Sequence, residues 1–212
     1  MLLLGIDLGT SSVKVSVVNA DTQQLVASAQ YPETESGIIS LHPGWAEQNP
    51  DTWWEHVQLA ILKLHDQRKY DPKDIGAIGI AYQMHGLVCI DKDQRVLRDS
   101  IIWCDSRAVD LGNQAFEKIG QEKCLLHLLN SPGNFTASKL AWVKQNEPAV
   151  YEKINQVMLP GDFIAMKLTG DVTTSVSALS EGIFWDFKEG EVSSTLLDYY
   201  GIESSLLAKA VP

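Results

Sequence analysis

Cysteine is scarce in this chain: only Cys89, Cys104 and Cys124 occur among 212 residues, and no two form a C-x-x-C pair. An odd and scattered set suits neither a zinc site nor a disulfide framework, so the three read as reduced, mostly packing residues. Long apolar runs are missing as well. The longest, residues 1–6 and 75–82, fall far short of the roughly 20 needed to cross a bilayer. The apolar start has no basic leader and meets Asp7 before a secretory core is complete, which makes the cytoplasm the expected location. Positive charge is also limited, with 17 Lys plus Arg against 27 Asp plus Glu and a formal net charge of −10. Binding to a phosphate backbone needs clustered cations, and no such cluster exists, so no nucleic-acid partner is expected. Two phosphate motifs are absent: there is no G-x-x-x-x-G-K-[ST] loop and no G-x-G-x-x-G turn. The chain contains no Gly-Gly pair, and none of its 15 glycines has an aspartate three residues later.

What is present is an ordinary globular composition. Hydrophobic residues make up 45% and charged residues 21%, which excludes disordered and fibrous classes. Residues 2–6 read as a buried strand, and Val13, Val15 and Val17 alternate with Lys14 and Ser16 as a second. After a polar connection at 19–24, residues 25–31 complete a three-stranded antiparallel meander. Asn49-Pro50-Asp51-Thr52 supplies an N-cap, a proline at the first helical position and an acidic first turn. In the helix that follows, Trp54, Val57, Ile61 and Leu64 mark the face toward the sheet. Residues 75–81 are predicted to be a fully buried strand, closing a strand-helix-strand crossover. Asp91-Lys92-Asp93-Gln94 is a hairpin signal, and 101–103 a short strand. Helices are predicted at 106–120, 136–146 and 162–168, with a strand at 157–159. The class is α/β with some antiparallel pairing, and no internal repeat occurs.

Three constellations can carry chemistry. In Gly5-Ile6-Asp7-Leu8-Gly9-Thr10-Ser11-Ser12 a carboxylate ends a strand and a tight hydroxyl-rich turn follows. Gly9 permits close backbone approach, the amides and hydroxyls of Thr10, Ser11 and Ser12 suit phosphoryl oxygens, and Asp7 suits magnesium. The same residues also fit a plain hairpin turn. Tyr82-Gln83-Met84-His85-Gly86 ends the next strand, where α/β sheets place ligand-contacting groups; a structural histidine is the alternative. Trp103-Cys104-Asp105-Ser106-Arg107 offers a flat apolar face and a carboxylate for sugar, or equally an Asp N-cap with an Asp-Arg pair.

Taken together these motifs resemble the FGGY family of carbohydrate kinases, from one end of the chain to the other. Gly5 to Ser11 resembles the family's first phosphate turn, and His42-Pro43-Gly44-Trp45-Ala46-Glu47-Gln48-Asn49-Pro50 with Trp53-Trp54 its lead-in to the first helix. Trp103-Cys104-Asp105-Ser106-Arg107 is similar to its Trp-x-Asp-x-Arg, Lys139-Leu140-Ala141-Trp142 to its K-x-x-W helix, and Leu159-Pro160-Gly161-Asp162 to the strand end after it. Gln83-Met84-His85-Gly86 is similar to the form that xylulokinases carry, pointing to a ketopentose. Asn134, Ser138 and Glu181-Gly182 depart from the family pattern.

The resemblance implies a ribonuclease H-like, actin-like ATPase fold with a mixed sheet flanked by helices. It implies an ATP- and Mg2+-dependent kinase that phosphorylates D-xylulose on carbon 5, another ketose or polyol being the alternative. Gln83, Met84, His85, Trp103 and Asp105 would contact sugar; Asp7, Gly9, Thr10, Ser11 and Lys14 would face the nucleotide phosphates, with Asp7 on the metal. The family's base is an aspartate in a Gly-x-x-Asp pattern, and its adenine cradle is glycine-rich. Neither pattern occurs here, so residues 1–212 are expected to be an N-terminal domain, with base and nucleotide pocket on a C-terminal domain beyond Pro212. Such a chain is expected to be inactive alone, and homodimerisation is possible. A non-catalytic sugar-binding module is the rival of a different class.

Overall fold

The computed structural model describes residues 1–211. β1 (Leu2–Leu8), β2 (Val13–Asn19) and β3 (Leu25–Tyr31) form the predicted meander; the two-residue β4 (Glu47–Gln48) leads into α1 (Pro50–His65), and β5 (Ile75–Tyr82) follows. The four-stranded sheet has the order β3-β2-β1-β5. β1 runs antiparallel to β2 and parallel to β5, so α1 is the crossover between parallel neighbours. The cap of α1 is as predicted: the Asn49 side chain accepts from the Asp51 N–H at 2.8 Å, and Pro50 opens the helix. Its buried seam is Trp53, Val57, Ala60 and Leu64, with Trp54 and Ile61 only half-buried at its edge. Trp53 turns inward because its indole N–H finds Gln48 Oε1 at 3.1 Å, which satisfies the polar atom of a buried ring.

β5 is not the fully buried strand that its apolar run predicts. It is the edge of the sheet, and Gly76, Ala77, Ile78, Gly79 and Ala81 are exposed along it. Alternation explains the outcome on β1 and β2: Leu4, Ile6, Leu8, Val13, Val15 and Val17 face the helices, whereas Gly5, Asp7 and Lys14 face outward. The outward residues, with Ser16, Gly79 and Ala81, line an open groove of about 520 Å³.

Beyond β5 the chain builds a second layer from β6 (Val88–Ile90), β7 (Ser100–Ile101), α2 (Val109–Ile119), α3 (Gln121–His127), α4 (Thr136–Asn146), α5 (Pro148–Tyr151) and β8 (Gln156–Met158). α6 (Pro160–Thr169), β9 (Thr173–Ser175), α7 (Val176–Glu181), β10 (Trp185–Asp186), β11 (Glu191–Val192), α8 (Ser194–Tyr200) and β12 (Lys209–Val211) complete it. α2 begins at Val109 rather than Ser106, because Arg107 is drawn into a turn by its own bonds to the Asp105 carboxylate. Gly120, at φ 103°, then splits the predicted helical stretch from α3. Two cores result. The first joins the sheet to α1 and α6 through Leu4, Ile6, Val15, Val57 and Phe163; the second collects Leu87, Ile101, Leu140, Phe184 and Leu196. Within the first core the end of β5 packs on the start of α6: a Cβ on Gly161 would run into the Tyr82 ring, so only glycine lets these elements touch. Cys89 and Cys124 are buried as expected of packing residues, while Cys104 is exposed. No helix among the described residues is long and apolar enough to cross a membrane.

Candidate functional site

Leu8 and Tyr82, the last residues of β1 and β5, stand side by side in parallel register. The turns that follow therefore share one edge of the molecule, the carboxyl end of parallel strands where open α/β sheets bind ligands. After β1, the Gly9 N–H donates to Ser12 O at 3.1 Å, and a Cβ on Gly9 would sit 2.9 Å from that oxygen. The turn is pinned from outside by Ser36, whose N–H donates to Ser11 O at 2.7 Å. Asp7 and Lys14 are cross-strand partners on the open face, and Asp7 and Ser11 are exposed.

A chain of side-chain hydrogen bonds joins this turn to the next. The exposed Trp103 indole donates to Thr10 Oγ1 at 2.9 Å, and Thr10 Oγ1 donates to Gln83 Oε1 at 3.1 Å. Gln83 Nε2 donates to Gln48 Oε1 at 3.0 Å, and Gln48 Nε2 returns to the Thr10 carbonyl at 2.8 Å. Gln83 is consequently buried, and the Thr10 hydroxyl proton is engaged inside the protein. The Thr10 backbone remains part of the turn.

The β5 turn is built differently. His85 adopts φ 60°, the left-handed region that costs a non-glycine residue roughly 1–2 kcal/mol. Three contacts hold it there. The His85 N–H donates to Glu181 Oε1 at 2.8 Å, His85 Nδ1 lies 3.1 Å from the Glu181 carbonyl oxygen, and Lys139 Nζ donates to the His85 carbonyl at 2.7 Å. The Phe135 ring centroid is 4.4 Å from the imidazole. Lys139 has no exposed surface, and burial brings its ammonium down to about 7. Burial also pushes the Glu181 carboxyl up and the His85 imidazole down, Lys139 adding to the latter. Asp162, at the start of α6, is raised to about 6 by burial. Met84 and Trp103 stay open, at 54% and 48% exposure.

Behind Trp103 lies a sealed charge network. Asp105 is fully buried; Oδ2 accepts from the Ala46 N–H at 2.6 Å and from Arg107 Nη2 at 2.7 Å, and Oδ1 from the Arg107 N–H at 2.8 Å. Arg107 also reaches Glu47 at 2.8 Å, with its guanidinium 3.7 Å from the Trp45 ring centroid and 5.0 Å from that of Trp142. Arg98 ties Glu47 to Glu147 at 2.5 and 2.8 Å. Asn134 Nδ2 donates to the Trp103 and Asp105 carbonyls, clipping that loop in place.

Of the residues singled out in the sequence, Asp7, Ser11, Met84, His85 and Trp103 thus present surface on one rim, while Gln83 and Asp105 support it from within. Gln48, Lys139 and Glu181 were not identified as site residues from the sequence. Gln48 and Lys139 lie within motifs that carry the family resemblance, and Glu181 lies where the resemblance departs; those are the signals that could have found them.

Residues 2–212 match the family model described as the N-terminal domain of the FGGY family of carbohydrate kinases. The xylulose kinase of Escherichia coli K12 is 36% identical over 197 residues, 92% of this chain and 39% of its own length. That of Bacillus subtilis 168 is 33% identical over 210 residues, 96% of this chain and 40% of its own. A crystal structure of xylulose kinase from Rhodospirillum rubrum superposes with a TM-score of 0.90 at 28% identity, covering 100% of this chain and 44% of that one. The chain therefore spans about two fifths of the length of the relatives it matches. The mixed sheet flanked by helices is the predicted actin-like ATPase fold, and by family match, sequence identity and structure the chain belongs to the FGGY carbohydrate kinases.

Proposed function

We propose that this chain is the sugar- and phosphate-facing N-terminal domain of an ATP-dependent ketose kinase, with D-xylulose as substrate and its carbon 5 hydroxyl as acceptor. The observation that carries the reading is the shared rim: the phosphate-type turn after β1 and the Gln83-Met84-His85-Gly86 turn after β5 are adjacent in register. Two turns set side by side bring the phosphoryl donor and the accepting hydroxyl into one space, which is what transfer by positioning requires. The names of the relatives support xylulose as the sugar.

In this reading Met84, His85 and the Trp103 face contact the sugar, while Gln83 and Asp105 position them. Thr10 and Ser11 offer backbone N–H groups to phosphate, Gly9 lets it approach the turn closely, and Lys14 adds positive charge beside Asp7. These residues fit a magnesium–nucleotide, because Asp7 is an exposed carboxylate paired across the strands with Lys14 and next to the hydroxyl-rich turn. Asp7 would then supply one oxygen ligand, with phosphate oxygens and water filling the rest, as magnesium prefers. When bound, the metal and nucleotide supply the phosphoryl group and neutralise its charge. The proton acceptor and the adenine pocket belong to a second domain, so the 212-residue chain transfers no phosphoryl group alone.

Titration calorimetry of this chain with D-xylulose, D-ribulose, D-fructose and glycerol tests the reading. Weak binding that favours D-xylulose is expected. Equal or absent binding across the panel, or formation of xylulose 5-phosphate by the chain alone, overturns it, and tight binding without nucleotide identifies a dedicated binding module instead.

A further inference from the structure

The contacts around His85 determine which kind of hydrogen bond the imidazole offers a ligand. Its Nδ1 faces a backbone carbonyl, that of Glu181, at 3.1 Å. A carbonyl oxygen only accepts, so a hydrogen bond there requires the proton on Nδ1. The carbonyl is held in place by its own residue: the Glu181 carboxylate accepts from the His85 N–H at 2.8 Å, so side chain and main chain of one residue grip two atoms of the other. Burial first, and then the Lys139 ammonium, favour a neutral ring. Lys139 comes from α4 to the His85 carbonyl, and the Glu181 carboxylate sits 4.0 Å from Nδ1, too far for a direct bond to it. With Nδ1 committed, Nε2 is the ring nitrogen left for a ligand, and in the neutral ring it carries a lone pair.

We propose that Glu181 positions His85 as the Nδ1-protonated neutral tautomer, so that Nε2 meets the substrate as a hydrogen-bond acceptor and selects a neutral hydroxyl at that point. The choice rests on the sugar-binding reading above. It deepens that reading by stating what the sugar must present: a group that can donate. A carboxylate, as in a sugar acid, has no proton to give and is disfavoured at this position. Glu181 is a positioning residue here, since it acts through His85. Its place at the end of α7, 96 residues beyond His85, is also where the chain departs from the family pattern.

Nitrogen-15 NMR of the ring nitrogens in the 212-residue chain reads the tautomer directly, with His85 assigned by comparison with His85→Asn. The expected result is a protonated Nδ1 and an unprotonated Nε2. Glu181→Gln keeps an acceptor for the His85 N–H and should preserve this pattern. Glu181→Ala should mix the tautomers and weaken D-xylulose binding about tenfold, the loss of one well-placed hydrogen bond. On adding D-xylulose, the His85 Nε2 resonance should move as it accepts a hydrogen bond. A protonated Nε2 in the wild type, or an unchanged tautomer in a folded Glu181→Ala chain, overturns the proposal. If D-xylulose shifts the Trp103 indole signal and leaves Nε2 still, the acceptor role fails. If it shifts neither, the sugar reading fails while the tautomer assignment stands.

Discussion

The turns that follow β1 and β5 end neighbouring strands of one sheet, yet they are held by different means. The β1 turn is closed mainly by its own residues, with a glycine that has no room for a Cβ, a bond from Gly9 to Ser12 three residues away and an exposed carboxylate at Asp7, while Ser36 and Gln48 each add one bond from outside. The β5 turn is non-local. A histidine in the left-handed region is held by Lys139 and Glu181, and the Trp103 loop beside it rests on the buried Asp105, Arg107 and Glu47. The difference follows from what each turn has to present. Backbone N–H groups suit a phosphate of any parent molecule, so a short peptide suffices. Distinguishing one polyhydroxylated ligand from another requires side chains at fixed positions, and these need buried supports from other elements.

Removing the largest buried support should separate the two turns most sharply. Arg107→Ala leaves Asp105 buried without its cation, while Glu47 keeps Arg98, and breaking a buried pair in this way costs about 3–5 kcal/mol. Urea unfolding should show that loss. Hydrogen exchange should show lower protection around His85 and Trp103, with the Gly9–Ser12 bond retained; equal loosening of both turns would contradict the contrast.

Asp162 gives a pH-dependent test. Burial raises its carboxyl from 3.8 to about 6, so the folded state holds that proton more tightly than the unfolded chain. Its stabilising contribution is complete below pH 3.8 and is lost as pH rises through 6. Asp162→Asn cannot ionise. Relative to the wild type it should gain about 3 kcal/mol of stability between pH 3.8 and 7, read as diverging urea midpoints. Parallel midpoints would mean that the carboxyl is solvated.

The smallest effect is expected at Thr10, the residue shared by both turns. Thr10→Val removes the donor to Gln83 and the acceptor of the Trp103 indole. An unpaired buried amide oxygen costs about 1–3 kcal/mol, and Trp103 fluorescence should report a freer ring. An unchanged stability and spectrum would show that the turns are not coupled.

Much of the first layer was legible because its rules are local. Alternation along residues 13–17 marked β2, and Asn49-Pro50-Asp51 marked the start of α1 to the residue. The error at β5 has a simple cause: an apolar run states that a strand can be buried, and its place in the sheet order decides whether it is. Likewise the helical period from 106 could not show that Arg107 would prefer the Asp105 carboxylate to the first turn of α2. At the site, Gly9 and His85 were visible as motif residues, but the supports Gln48, Lys139 and Glu181 lie 35 to 96 residues from the groups they hold.

The scarcities in the sequence, of paired cysteines, basic clusters and long apolar runs, by themselves excluded whole classes, and its short motifs pointed to phosphate and sugar chemistry. Those conclusions depend on composition and on neighbours in the chain, which sequence records directly. Only the tertiary structure decided which motif residues face outward. Gln83 and Asp105 are turned inward and Met84 and Trp103 outward because burying a polar group requires partners, and those partners come together only when the chain is folded.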